Sequence, residues 1–166
     1  AFFSTGDELA SIGRVPAPGQ VYDSNRYTLY GVLTRLGCEL VDMGVIPDRP
    51  EAIEAAFRNA AASSDVILSS GGVSVGDADF IRALMDRLGI AKAGFVGHDV
   101  GAFVMQRLAL RHPHRVAGLF FFNCGTHGVG ARWRDPAQIN EIWYQTFHQM
   151  PFAPAIVGAS RESCRA

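Results

Sequence analysis

The sequence predicts an α/β fold, a three-layer sandwich around a five-stranded parallel sheet ordered 2-1-3-4-5, with a helical C-terminal tail. Three observations carry this. Short runs of apolar and β-branched residues alternate with stretches of helical periodicity, the pattern of repeated β-α-β units. A glycine-rich turn, Ser69 to Gly76, follows one of those runs directly. Finally, 166 residues with 48% apolar and 19% charged side chains are enough for one domain with a true core.

Taken in order, Ala1 to Phe3 form the first strand, and Ser4-Thr-Gly-Asp-Glu-Leu9 leaves the sheet at a strand C-terminus. Pro16, Pro18 and Gly19 make a loop. Asp23-Ser-Asn25 offers N-cap side chains for a helix from about Arg26 to Leu36, where Tyr27, Leu29, Tyr30, Leu33 and Leu36 recur at helical spacing and Gly37 stops it. Residues 38–43 read as the second strand, with Gly44 to Asp48 as its exit loop. Pro50 suits the first turn of a helix reaching about Ala62. Residues 66–69 give the third strand, Asp77 to Gly89 a helix, 93–96 the fourth strand and 116–122 the fifth. The single-helix link between the third and fourth strands places them side by side. The resulting order is the flavodoxin-like one.

Composition excludes several classes of function. A net charge of −1 gives no electrostatic case for nucleic acid. No apolar run reaches the roughly 18 residues of a membrane span. Cys38, Cys124 and Cys164 have neither metal-ligand nor disulfide spacing, so a reducing cytoplasm is the default. The opening on Ala1-Phe2-Phe3, without Met, reads as the interior of a strand, and a fragment of a longer chain is expected.

The chemistry suggested by the residues centres on the Ser69–Asp79 loop. Glycines let a ligand approach the backbone, and amides at a helix N-terminus suit phosphate. Asp77 and Asp79 would repel that anion unless a cation lies between them. Read without a ligand, the same loop is a tight turn in which Asp77 caps the next helix. Likewise Asp7 and Glu8 read as a solvated loop, and Asp23 as a helix cap.

Four segments in order, FSTGDEL, GQVYDSNRYTLYGVLTRLG, ELVDMGVIPDRPEAI and SSGGVSVGDADF, resemble the molybdenum-insertase family, in its MogA-type molybdopterin-binding domain. The resemblance covers residues 1–80. It implies a ligand pocket of Thr5, Gly6, Asp7, Glu8, Asp23, Ser24, Asn25, Ser70, Gly71, Gly72, Ser74, Gly76, Asp77 and Asp79. It also implies molybdopterin as the phosphate-bearing ligand, with Mg²⁺ on Asp7, Glu8, Asp77 and Asp79.

A second resemblance begins near Ile81. LMDRLGIAKAGFVGHDVGAFVMQRLALRHPHRVAGLFFFN is similar to the α/β-hydrolase fold, in its epoxide-hydrolase and haloalkane-dehalogenase branch. Gly97-His-Asp-Val-Gly101 fits the nucleophile elbow with Asp for Ser. The likeness implies Asp99 as nucleophile, the Val100 amide in an oxyanion hole, and residues 125–166 as the start of a helical cap. That family's His-Gly-x-Pro loop, its acid and its general base are missing from the chain, so an ester on Asp99 would not turn over. His112 and His114 close a helix and read as structural. The two resemblances imply a chimera joined near residues 80–82. Residues 1–124 would form one composite domain and 125–166 a tail, whose Trp133, Trp143, Phe147, Met150 and Phe152 suit a homodimer contact. Three functions are therefore open: a binding remnant of a molybdenum transferase, an epoxide-hydrolase-like enzyme, or a scaffold without activity.

Overall fold

The computed structural model describes residues 1–71, 78–125, 135–137 and 150–151. By its contacts the chain divides into two compact units, Ala1–Cys124 and Gly125–Ala166. The aromatic residues expected to drive a tail contact, Trp133, Trp143, Phe147 and Phe152, lie outside the described residues. In the second unit the Ala137 amide donates to Asp135 Oδ1 at 2.9 Å.

The first unit is built on β1 (Phe2–Thr5), flanked in parallel by β4 (Asp42–Ile46) and β5 (Leu68–Gly71). All four residues of β1 are buried, as befits a central strand. Alternation sends successive side chains to opposite faces. Phe2 meets Tyr30 of α1 (Ser24–Arg35) at 6.5 Å, while Phe3 packs edge-on to Phe57 of α2 (Pro50–Ser63) at 5.2 Å. The two helices thus cover the two faces of β1. Between β1 and α1 run two short strands that the sequence did not announce. They are β2 (Leu9–Ala10) and β3 (Val21–Tyr22), paired in parallel.

Helix ends follow local chemistry. Asp23 caps α1 through the Arg26 amide, and Pro50 opens α2. Gly37 has φ +75°, and its amide and that of Cys38 bond the Thr34 and Leu33 carbonyls. That paired arrangement is the Schellman stop. Gly89 and Ile90 repeat it after α3 (Ala78–Arg87).

Strand bounds and the sheet order need correction. The third strand runs over 68–71, not 66–69. The second strand runs over 42–46, not 38–43, so most of the anticipated exit loop is strand. Residues up to Cys38 are used by the helix stop, and Arg26 Nη1 holds Asp42 Oδ2 at 2.6 Å where the strand begins. Gly44, at φ +78° and bonded to Asp42 Oδ1, absorbs a bulge in the ladder.

The single five-stranded sheet does not form either. β6 (Ala93–His98) and β7 (Val116–Phe122) pair with each other in a separate two-stranded parallel sheet. The 2-1-3 and 4-5 neighbours hold, whereas the 3-4 adjacency fails. β5 is extended for only four residues before Gly71 turns at φ +88°. Phe80, Ile81 and Val96 line a gap together with Phe3 and Phe57. Helix α4 (Val100–Arg111) packs on both β6 and β7. Arg87 of α3 bonds Glu54 of α2 at 2.6 Å, which ties the halves together through their helices.

Candidate functional site

The parallel register sets Thr5 beside Gly71 and Ser4 beside Ser70, so β1 and β5 end level. The N-terminus of α1 comes to the same place, with Asn25 Nδ2 donating to Ser70 Oγ at 3.2 Å. Together they border an open cleft of about 230 Å³. Its walls include seven of the expected pocket residues: Thr5, Glu8, Asp23, Ser24, Asn25, Ser70 and Gly71. Hydroxyl and amide side chains line it, and the first-turn amides of a helix lack intrahelical partners. Thr5 is 4% exposed, and its Oγ1 has no hydrogen-bond partner among the described residues. Gly71 is required for a different reason than ligand access. A Cβ there would collide with the Thr5 carbonyl, and its φ disfavours any side chain.

Below the cleft is a buried charge cluster. Asp23, 2% exposed, accepts from Ser4 Oγ at 2.9 Å and from Arg26 Nε at 3.0 Å. Arg26 also reaches Asp42, the Ser11 hydroxyl and the Tyr27 hydroxyl, and its guanidinium lies 4.7 Å from the Tyr27 ring centre. Burial works against the Arg26 charge, but the Asp23 hydrogen bond and the Asp42 carboxylate together hold its pKa above the ordinary value. Asp23 is therefore committed to the protein while still bordering the cleft. Sequence reasoning missed Arg26; the Asp23/Arg26 spacing of three within a capped first turn was the available signal.

The expected metal ligands do not all meet. Glu8 folds its exposed carboxylate over Gly6 at the cleft. Asp7 accepts from the Asp48 amide at 3.3 Å, outside the cleft wall. Asp79 lies on α3, 3.1 Å from Arg111 and 3.6 Å from His112 Nε2. Among the described residues, no three His, Cys, Asp or Glu side chains are grouped to hold a metal. Gly72, Ser74, Gly76 and Asp77 lie outside the described residues.

Asp99 stands between β6 and α4 with φ 51° and ψ −118°, a backbone conformation rare for a residue with a side chain. Gly97 permits this turn, because a Cβ there would strike the Ala102 backbone. Asp99 is exposed, Val100 opens the helix, and His98 Nε2 is 3.2 Å from Asn123 Nδ2.

Comparison with known proteins adds a family. Residues 1–131 match the family described as "Probable molybdopterin binding domain". The chain belongs to that family. The molybdopterin-binding-domain match runs through the expected junction at 80–82. The chain is 45% identical over 86 residues to the molybdopterin molybdenumtransferase of Haemophilus influenzae, covering 52% of this chain and 21% of that protein. It is 42% identical over 89 residues to the enzyme of the same name from Nostoc, covering 54% and 20%. Gephyrin of Dictyostelium discoideum is 30% identical over 113 residues, covering 61% and 16%. The chain thus spans about a fifth of the length of these curated relatives. A solved molybdopterin biosynthesis MoeA protein from Pyrococcus horikosii shares 32% identity over 59% of this chain and 24% of that one, with a TM-score of 0.47. No helix among the described residues is long and apolar enough to cross a membrane.

Proposed function

We propose that this molybdopterin-binding domain holds the phosphate end of molybdopterin in the cleft of Thr5, Ser24, Asn25, Ser70 and Gly71, as a binding module without turnover of its own. One observation supports it above the rest: three segments far apart in sequence bring their hydroxyls, an amide side chain and a helix N-terminus to one cleft at the ends of parallel strands. The donors fit a phosphate. The Glu8 carboxylate on the same cleft opposes one, which is the charge problem that Mg²⁺ solves. Glu8 is the cleft carboxylate that would contact that ion, which when bound would supply positive charge between carboxylate and phosphate. Molybdenum transfer is proposed only for the longer protein of which such a domain is a part.

Calorimetry with inorganic phosphate and with molybdopterin, with and without Mg²⁺, tests the reading. Binding should strengthen with Mg²⁺ and weaken about tenfold in Ser70→Ala, where a hydrogen bond to a charged group is lost. No heat at millimolar ligand under either condition refutes it.

A second reading rests on the turn at Asp99. Its positive φ and the close Gly97–Ala102 approach favour a nucleophile elbow, and with it the chimeric origin and an alkyl-ester chemistry. Labelling of Asp99 by an epoxide or alkyl halide, absent in Asp99→Asn, supports it; no label after prolonged exposure removes it.

A further inference from the structure

The gap between the two sheets has the character of a site. It is a cavity of about 150 Å³, separate from the polar cleft but sharing the Thr5–Gly71 wall. Phe3, Phe57, Phe80, Val104 and Met105 make it largely apolar. Cavities of about this volume accept a benzene-sized guest. The aromatic wall already shows the geometry such a guest would extend, because Phe3 and Phe57 meet edge to face at 88°. The wall is not uniformly apolar. Its β1–β5 side carries the hydroxyls of Thr5 and Ser69. Thr5 Oγ1 is buried with no hydrogen-bond partner among the described residues, an unfavourable state for a hydroxyl. A guest that brings one polar group to that side relieves it. Residues of β1, β5 and α2 line one part of the cavity, and residues of α3, β6 and α4 line the rest. We propose that it binds a small aromatic molecule bearing one hydroxyl, of the phenol class, with the ring against Phe3, Phe57 and Met105 and the hydroxyl toward Thr5.

Methyl NMR titration of the whole chain with phenol and with benzene tests this. Saturable shifts should appear at Ile53, Ile81, Val104 and Met105, with phenol bound roughly three- to tenfold tighter than benzene. Thr5→Val should erase that preference and leave benzene affinity in place. Val104→Phe fills the cavity and should abolish both; Met105→Phe does the same by another route if the first variant fails to fold. Equal affinity for the two ligands in the unaltered chain overturns the proposal. So do shifts confined to other regions, or undiminished binding in a folded filling variant.

Discussion

Replacing Arg26 by Met tests the charge cluster beneath the cleft. Met keeps much of the apolar stem and removes the guanidinium. Asp23 is then left buried with two of its three donors, the Ser4 hydroxyl and the backbone amide of residue 26. Breaking one side of a buried ion pair costs about 3–5 kcal/mol. The surviving donors argue for the lower end. Asp42 adds little, since its side chain is 34% exposed and water replaces the lost partner. The expected loss is therefore about 3 kcal/mol, a fall in Tm of roughly 10 °C for a chain of this size. Urea unfolding at pH 7 measures it. A further readout separates charge from packing. Arg26→Met/Asp23→Asn should recover at least half of the loss, because the stranded charge is gone. A loss under about 1 kcal/mol, or one that the double variant does not recover, refutes the argument.

Other outcomes follow from single sites. Gly71→Ala combines positive φ with collision against the Thr5 carbonyl, whereas Gly37→Ala meets positive φ in open space; thermal unfolding should show about 1 kcal/mol lost at Gly37 and clearly more at Gly71. Hydrogen bonds from Arg87 and then Arg58 hold the Glu54 pKa below its ordinary value. Glu54 thus binds fewer protons folded than unfolded, and its stabilisation is present above the ordinary Glu range and lost as pH falls through the lower folded value. A Glu54→Gln variant should flatten the acid limb of the stability–pH curve, and an unchanged limb counts against the pairing. The apolar residues of the tail motivate a dimer through 125–166; light scattering should show the full chain larger than twice the mass of a chain ending at Cys124, and a monomeric full chain would end that idea.

Much of the fold was legible because its signals are local. Pro50, Asp23, Gly37 and Gly89 each act on the turn they occupy, and each does what its chemistry dictates. The apolar run Ala1 to Phe3 likewise marked the first strand, whose Phe2 and Phe3 meet different helices. The failures are all relational. The start of β4 is set by a side chain sixteen residues earlier, Arg26, gripping Asp42. No period in residues 38–46 encodes that grip. The lost 3-4 adjacency is similar: crossover rules favour neighbours, but they cannot weigh a four-residue strand ending at Gly71 against the packing of α4 on β6, β7 and α3.

The site divides along the same line. Thr5, Ser24, Asn25, Ser70 and Gly71 converge because parallel register and a capped helix bring chain ends together, and both of those were readable. Asp79 parts from Glu8 because α3 turns its first-turn carboxylate toward Arg111 and His112 at the end of α4. A carboxylate chosen by spacing within a loop goes wherever the nearest cation stands, and that cation is supplied by a helix thirty residues on. The same logic gives Asp23 its double character. It was read both as a helix cap and as a pocket residue, and it is a cap on the wall of the cleft, fixed there by Ser4 and Arg26. Its charge is already neutralised by Arg26, so Glu8 is the cleft carboxylate left to oppose an anion. The dependence of phosphate binding on Mg²⁺ should accordingly weaken in Glu8→Gln and persist in Asp79→Asn.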